Sequence, residues 1–269
     1  MKVKGEFTMK KTFITFLLTM GIVACATLTK VDSNAMENSN NDIDYSTEIS
    51  VDYLDMVGID SEDLKNVTIQ NVEVKVHNTD STYATLSNER ESMEAGLLIA
   101  EVENEDTGEN ELNCVMFMDD DGVPLSAARI SSWVATTPER SLGYVKMTGK
   151  YKVYSDGLAS VYVNPYQLQM ISGISGLSYM TGQLSFHGYQ VNTSNWSKIA
   201  GTDCSVASKI VNVYNTVNPG TYYSSTGYVY GSSKALCMRA CGDHSTYQFY
   251  MKYNLNGKEY SSFFNLSDY

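Results

Sequence analysis

Apolar and polar residues alternate along much of the chain with the two-residue period of a strand. In Val67-Thr68-Ile69-Gln70-Asn71-Val72-Glu73-Val74-Lys75-Val76, the side chains of Val72, Val74 and Val76 fall on one side. Leu97–Val102 and Leu112–Met118 continue the pattern, and the tract Asn104-Glu105-Asp106-Thr107-Gly108-Glu109-Asn110 between them has the composition of a hairpin connection. Asp60-Ser61-Glu62-Asp63-Leu64 carries the cap residues of a short helix. Beyond residue 142 the predicted strands become short and dense: Gly143–Met147, Tyr151–Tyr154, Leu158–Val163, Gln167–Ile171, Leu177–Phe186, Ser205–Tyr214, Thr221–Tyr230, Lys234–Arg239, Thr246–Tyr253 and Glu259–Phe264. Thr148-Gly149-Lys150, Ser155-Asp156-Gly157, Asn218-Pro219-Gly220 and Asn256-Gly257 read as the turns between them. No segment offers the crossover helices of a parallel sheet. The prediction is a mainly β protein: an antiparallel, β-sandwich-like C-terminal domain at 143–269 and a smaller acidic β-rich domain at 48–125, joined by a boundary segment at 126–142.

Charge and tyrosine content draw the same division. The chain has 269 residues and a formal charge of −12. Residues 26–125 carry 24 acidic and four basic side chains, whereas residues 126–269 carry six acidic and 11 basic ones, and 17 of the 20 tyrosines follow residue 125. A single sandwich with one acidic sheet edge is the alternative to two domains. The net negative charge argues against sequence-independent nucleic-acid binding, which needs clustered Lys and Arg.

The N-terminus has the layout of an export signal. Lys2, Lys4, Lys10 and Lys11 precede the apolar run Phe13–Ala24, which is shorter than the ~20 apolar residues a spanning helix needs. Met9-Lys10-Lys11 would itself serve as a signal start. Ile22-Val23-Ala24-Cys25 resembles the bacterial lipoprotein signal, and the resemblance implies a signal peptide at 1–25, lipidation of Cys25 and a membrane-anchored, exported protein. Cleavage after Ala26 or Ala35, giving a secreted extracellular chain, is the alternative. Residues 26–47 are polar and acidic, the composition of a disordered linker.

Candidate chemistry is sparse. Tyr247, Phe249, Met251 and Tyr253 share one predicted strand face, which should be core, while Gln248, Tyr250 and Lys252 share the other. Tyr250, with Trp196, Tyr222, Tyr223, Tyr228 and Tyr230, supplies the candidate binding residues, because aromatic rings on a sheet face can hold a sugar or a peptide. The same rings also stabilise sheets by cross-strand pairing with no ligand. Cys114, Cys204, Cys237 and Cys241 remain after export; one disulfide among Cys204, Cys237 and Cys241 is expected. A cysteine hydrolase would need His187 or His244 beside Cys204 or Cys241, oriented by Asp203 or Asp243. Neither Asp119-Asp120-Asp121-Gly122 nor Cys237-Met238-Arg239-Ala240-Cys241-Gly242-Asp243-His244 has the spacing of a dedicated metal loop, so no cofactor or metal is assigned. No nucleophile elbow, phosphate loop or dinucleotide fingerprint occurs in the sequence.

The tract from Ser155 to Ser262, with Trp196-Ser197-Lys198 and Pro219-Gly220-Thr221-Tyr222-Tyr223, resembles uncharacterised secreted β-sandwich domains of Gram-positive anaerobes. It covers less than half of the chain and implies a surface β domain without assigning any residue a role. The sequence therefore supports a non-enzymatic exported surface module for binding or adhesion, with a cell-surface polysaccharide or protein as partner. A structural component of the envelope and a cysteine-dependent hydrolase are the alternatives.

Overall fold

The computed structural model describes residues 51–60, 64–78, 91–104, 107–134, 142–157, 161–201, 204–237 and 247–265. The export signal, Cys25, the linker and Cys241 lie outside them. Within the described residues are α1 (Val51–Met56) and α2 (Ala127–Val134). The strands are β1 (Leu64–Asn78), β2 (Glu91–Asn104), β3 (Glu109–Met118), β4 (Gly143–Ser155), β5 (Val161–Ser172), β6 (Leu177–Asn192), β7 (Ser205–Val213), β8 (Tyr223–Ser225), β9 (Lys234–Cys237), β10 (Tyr247–Leu255) and β11 (Lys258–Asn265). Residues 61–63 of the helix opening predicted at 60–64 lie outside the described residues; Leu64 already opens β1, and a described helix precedes Asp60, at α1.

The chain is mainly β, but the predicted sandwich is replaced by a barrel. The sheet runs β10-β11-β1-β2-β3-β4-β5-β9-β6, and β6 pairs back onto β10 to close nine antiparallel strands into a ring. Each antiparallel step reverses strand direction, so an odd number of steps cannot close on straight strands. The 16-residue β6 absorbs the mismatch: Leu177–Phe186 pairs with β10, while Tyr189–Asn192 pairs with β9, on whose other edge β5 runs in the same direction. Gly188 sits at that handover, where an added Cβ would lie 2.4 Å from the Cys237 carbonyl oxygen. β7 extends the sheet from β6, and β8 pairs with β5 beside it.

The ring leaves no division between the two compositional halves. β3 and β4, on either side of the boundary segment, pair continuously from Glu109↔Lys152 to Met118↔Gly143, and β1 pairs with β11 near the C-terminus. One core fills the barrel, joining Val72, Leu97 and Met116 of the acidic half to Met147, Met170, Leu184, Phe186, Phe249 and Tyr253 of the tyrosine-rich half. The charge boundary thus separates surfaces, not cores. Unbranched methionines suit this interior because their flexible side chains fill irregular gaps between strands.

A second apolar layer covers the outside of β1–β4. Leu54, Val57 and Ile59 from α1 and its exit, with Leu125, Ala127 and Ile130 around α2, pack on Ile69, Leu98, Ala100, Val115 and Phe117. β2 and β3 are consequently buried on both faces, which explains the unbroken apolar runs Leu97–Ala100 and Cys114–Met118.

Two turn assignments illustrate the role of glycine. Asn256 (φ 51°) and Gly257 (φ 78°) link β10 to β11 by a two-residue turn in which Leu255 opposes Lys258. A Cβ on Gly257 would have to be held in the left-handed region, so Gly257→Ala is expected to lower stability by about 1 kcal/mol, read as a shift in urea midpoint; an unchanged midpoint would contradict the turn. Gly149 is different. It reads as a turn in sequence, yet β4 passes straight through it, because a Cβ there would sit 2.4 Å from Leu184 Cδ2 inside the barrel.

Candidate functional site

The barrel's outer surface is unequal. On one side the helices cover β1–β4; on the other, the outward side chains of β7, β6, β10 and β11 carry no second layer among the described residues. Register sets these side chains in rows across the four strands. One row reads Ile210–Gln183–Tyr250–Phe263, and the next Ser208–Ser185–Gln248–Asn265. Val206 and His187 oppose one another beyond them. No Lys, Arg, Asp or Glu stands in these positions.

Among the described residues, four of the five exposed large hydrophobic ones lie on this face: Val206 (48% exposed), Ile210 (45%), Phe263 (56%) and Tyr214 (67%), just beyond β7. Such clustering is what an interaction surface presents, whereas isolated exposed apolar residues are ordinary. The polar members are amides and hydroxyls held locally. Gln183 Nε2 donates to Ser185 Oγ at 3.0 Å, and His187 Nε2 lies 3.0 Å from Gln248 Oε1.

One end of the face is charged. Lys252 Nζ lies 2.9 Å from Glu259 Oε2, and the Tyr179 hydroxyl donates to the same carboxylate. Although burial opposes it, the bonds from Tyr179 and Lys252 hold the Glu259 carboxyl below its ordinary range. Burial and the adjoining carboxylate push the Tyr179 hydroxyl up. Glu259 is also paired in register with His77, at the end of β1. The neutral rows therefore meet an ion pair at one end, and beyond Phe263 the next strand, β1, presents the exposed Glu73, the residue before the Val74↔Ser262 pair.

The six aromatic residues singled out from sequence do not converge. Tyr250 lies on the bare face, half-buried between Gln183 and Phe263. Trp196, at φ 58°, stacks on Tyr162 with ring centroids 4.6 Å apart and meets Tyr154 at a tilt, 6.3 Å away, packing the outside of the β5–β6 junction. Tyr228 leans on Tyr166 at 5.3 Å. Tyr223 and Tyr230 pack against the barrel core; the Tyr223 hydroxyl accepts from Asn218 N, and the Tyr230 hydroxyl donates to the Val206 carbonyl. The predicted strand Thr221–Tyr230 shrinks to Tyr223–Ser225, so these rings never share a strand face. Tyr222 is exposed and stands beside Gly58. Ile210, Gln183 and Phe263 escaped the sequence reading, although Ile210-Val211 and Phe263-Phe264 each place two apolar residues in succession on a strand, forcing one outward.

Cys114 is sealed in the core, where burial pushes its thiol up, the reverse of nucleophile activation. Cys204 is disulfide-bonded, and Cys237 carries a free thiol, so Cys237 leaves the set of disulfide candidates. His244, Asp203 and Asp243 lie outside the described residues. Asp119 Oδ1 accepts from the backbone N–H groups of Asp121 and Val123, closing the acidic turn on itself. An open groove of about 330 Å³ lined by Asn71, Val72, Glu73, Ser92, Met93 and Glu94 sets two carboxylates opposite one another with no basic lining residue.

No family model, curated protein or solved structure matches the chain.

Proposed function

We propose that the protein is an exported, lipid-anchored surface module that binds a macromolecular partner, a cell-surface polysaccharide or protein, through the bare face of β7, β6, β10 and β11, without catalysing a reaction on it. The observation that carries this reading is the charge-free row Ile210–Gln183–Tyr250–Phe263, left uncovered by the described residues on a barrel whose β1–β4 wall is covered by helices. Supporting it from the sequence, Ile22-Val23-Ala24-Cys25 supplies the lipid site and the polar tract 26–47 a spacer.

Expressed at full length in a Gram-positive host, the protein should be extracted from membranes with the mass of a chain beginning at a diacylated Cys25, and Cys25→Ser should release it. An unmodified N-terminus downstream of Cys25 would overturn the anchor. Cells displaying the protein should adhere to polysaccharide-coated or protein-coated surfaces, and the double substitution Ile210→Asp with Phe263→Asp should abolish adherence while shifting stability by no more than about 0.5 kcal/mol. Adherence that survives this substitution, or that never exceeds that of cells lacking the protein, would overturn the binding face.

The exposed Val206, Ile210, Tyr214 and Phe263 also support a second reading, an assembly component of the envelope that associates with its own copies. It predicts concentration-dependent oligomers in the detergent extract that the same double substitution disperses.

A further inference from the structure

Resting on the binding-face reading, we propose that the partner is a neutral, hydroxyl-rich polysaccharide lying across the strands along Ile210–Gln183–Tyr250–Phe263. Three observations select this class. The first is charge. The chain carries 31 acidic and 19 basic residues, yet none stands in this row or in Ser208–Ser185–Gln248–Asn265. An anionic polymer needs Lys or Arg facing it, and a cationic one needs carboxylates within its footprint; of the bordering charges, Lys252 and Glu259 pair with one another, and Glu73 stands on β1, beyond Phe263 and outside the row.

The second is size. Four strands ~4.8 Å apart and the ~14 Å from residue 206 to 210 give a neutral footprint of roughly 300 Å². Extended to Tyr214, and so across the Lys252–Glu259 pair, the patch reaches about 500 Å², short of the ~800 Å² per partner of a stable protein interface. The face suits a slender ligand.

The third is hydrogen-bonding type. An extended peptide gains its main-chain bonds from a free sheet edge. Here β11 is paired with β1, and β7, which ends the strand order, has its outer edge covered only in part by β8 and the 226–230 segment, where Val206 O accepts from the Tyr230 hydroxyl; the row itself lies on the sheet face and not on that edge. What the face offers instead is the side-chain amides of Gln183, Gln248 and Asn265 and the Ser208 hydroxyl, each able to donate and accept, with Ser185 buried beneath Gln183, beside an aromatic pair, Tyr250 and Phe263, directly opposed on neighbouring strands. Sugar rings present the same combination: hydroxyls at the edge and apolar C–H faces that stack on aromatic rings.

The test is electrophoresis of the detergent-solubilised full chain in native gels containing dextran, amylopectin, galactomannan or laminarin, with polygalacturonate as the anionic control and an immobilised peptide array in parallel. At least one neutral polysaccharide should retard the protein, with a Kd that changes less than about twofold on raising salt. Tyr250→Ala and Gln183→Ala should each weaken that Kd about tenfold without altering the melting profile. Retardation by polygalacturonate alone would overturn the proposal. Peptide binding without polysaccharide retardation would overturn the ligand class and leave the binding face standing, provided Ile210→Asp with Phe263→Asp abolishes it. Binding of any probe that ignores this double substitution, or no binding to any probe, would overturn both.

Discussion

Gly96→Val should destabilise the protein by about 3 kcal/mol, read as a fall in urea midpoint at unchanged slope. Gly96 is in the middle of β2, paired with Asn71, and its outward side lies directly under the start of α2. A Cβ there would meet the Ala127 Cα and N at 2.6 Å and Ile130 Cδ1 at the same distance. The first two are backbone atoms that no rotamer change can move. The helix must therefore shift outward, uncovering Leu98, Val115 and Phe117 beneath it. Gly96 does not have a positive φ, so the cost is steric alone. Gly201→Ala separates the two effects: its φ is 78°, but nothing lies within 4 Å of the added carbon, and the expected loss is only about 1 kcal/mol. Equal midpoints for Gly96→Val and the unsubstituted protein would mean that α2 does not pack on β2.

Lys146→Met should raise stability at pH 7 by about 2 kcal/mol. Lys146 is on the outward side of β4, only 3% exposed, and its ammonium donates to the Gly58 carbonyl at 2.9 Å in the exit of α1. Burial is the main cause that lowers its pKa to about 8 from an ordinary 10.5; Glu111 opposes the shift and Lys150 adds to it. Below pH 8 the amine is protonated whether the chain is folded or unfolded, and the folded state bears the full cost of the buried charge. Between pH 8 and 10.5 the folded chain has lost the proton that the unfolded chain retains, so this group's contribution to stability rises with pH, by roughly 3 kcal/mol across the window. Methionine removes the cost but leaves the Gly58 carbonyl without its donor, a loss of about 1 kcal/mol. The advantage of Lys146→Met should accordingly shrink toward zero between pH 8 and 10. The measurement is the difference in urea midpoints between the two proteins at pH 7 and pH 10, since shared tyrosine titrations cancel in it. A difference independent of pH would show that Lys146 is not charged and buried as described.

Several features were readable from local pattern. The face Phe249, Met251 and Tyr253 is core, as are Val72 and Val74, and Asn256-Gly257 makes the terminal hairpin. These succeed because side-chain alternation and the need for positive φ act within a few residues. The misreadings share the opposite origin. Gly149 resembled a turn because the residue that requires its missing side chain, Leu184, comes from another strand. Pro165 and Tyr166 sit where β5 shifts register against Lys150 and Tyr151, so two short predicted strands are one bulged strand. Tyrosine abundance likewise suggested a shared aromatic surface, but packing sends Trp196 to the β5–β6 junction and Tyr223 and Tyr230 toward the core.

By itself the sequence determined which side of most strands would be apolar, because that alternation follows from the two-residue period of an extended chain. It also determined that the body would be mainly antiparallel β and acidic in its first half. Only the tertiary structure decided that the halves share a closed barrel, since closure depends on β6 finding β10 and β1 finding β11 across long stretches of chain. The candidate site belongs to that second class. Ile210, Gln183, Tyr250 and Phe263 come from four strands, and they form a row only because register across three pairings places them opposite one another, a relation no local periodicity encodes.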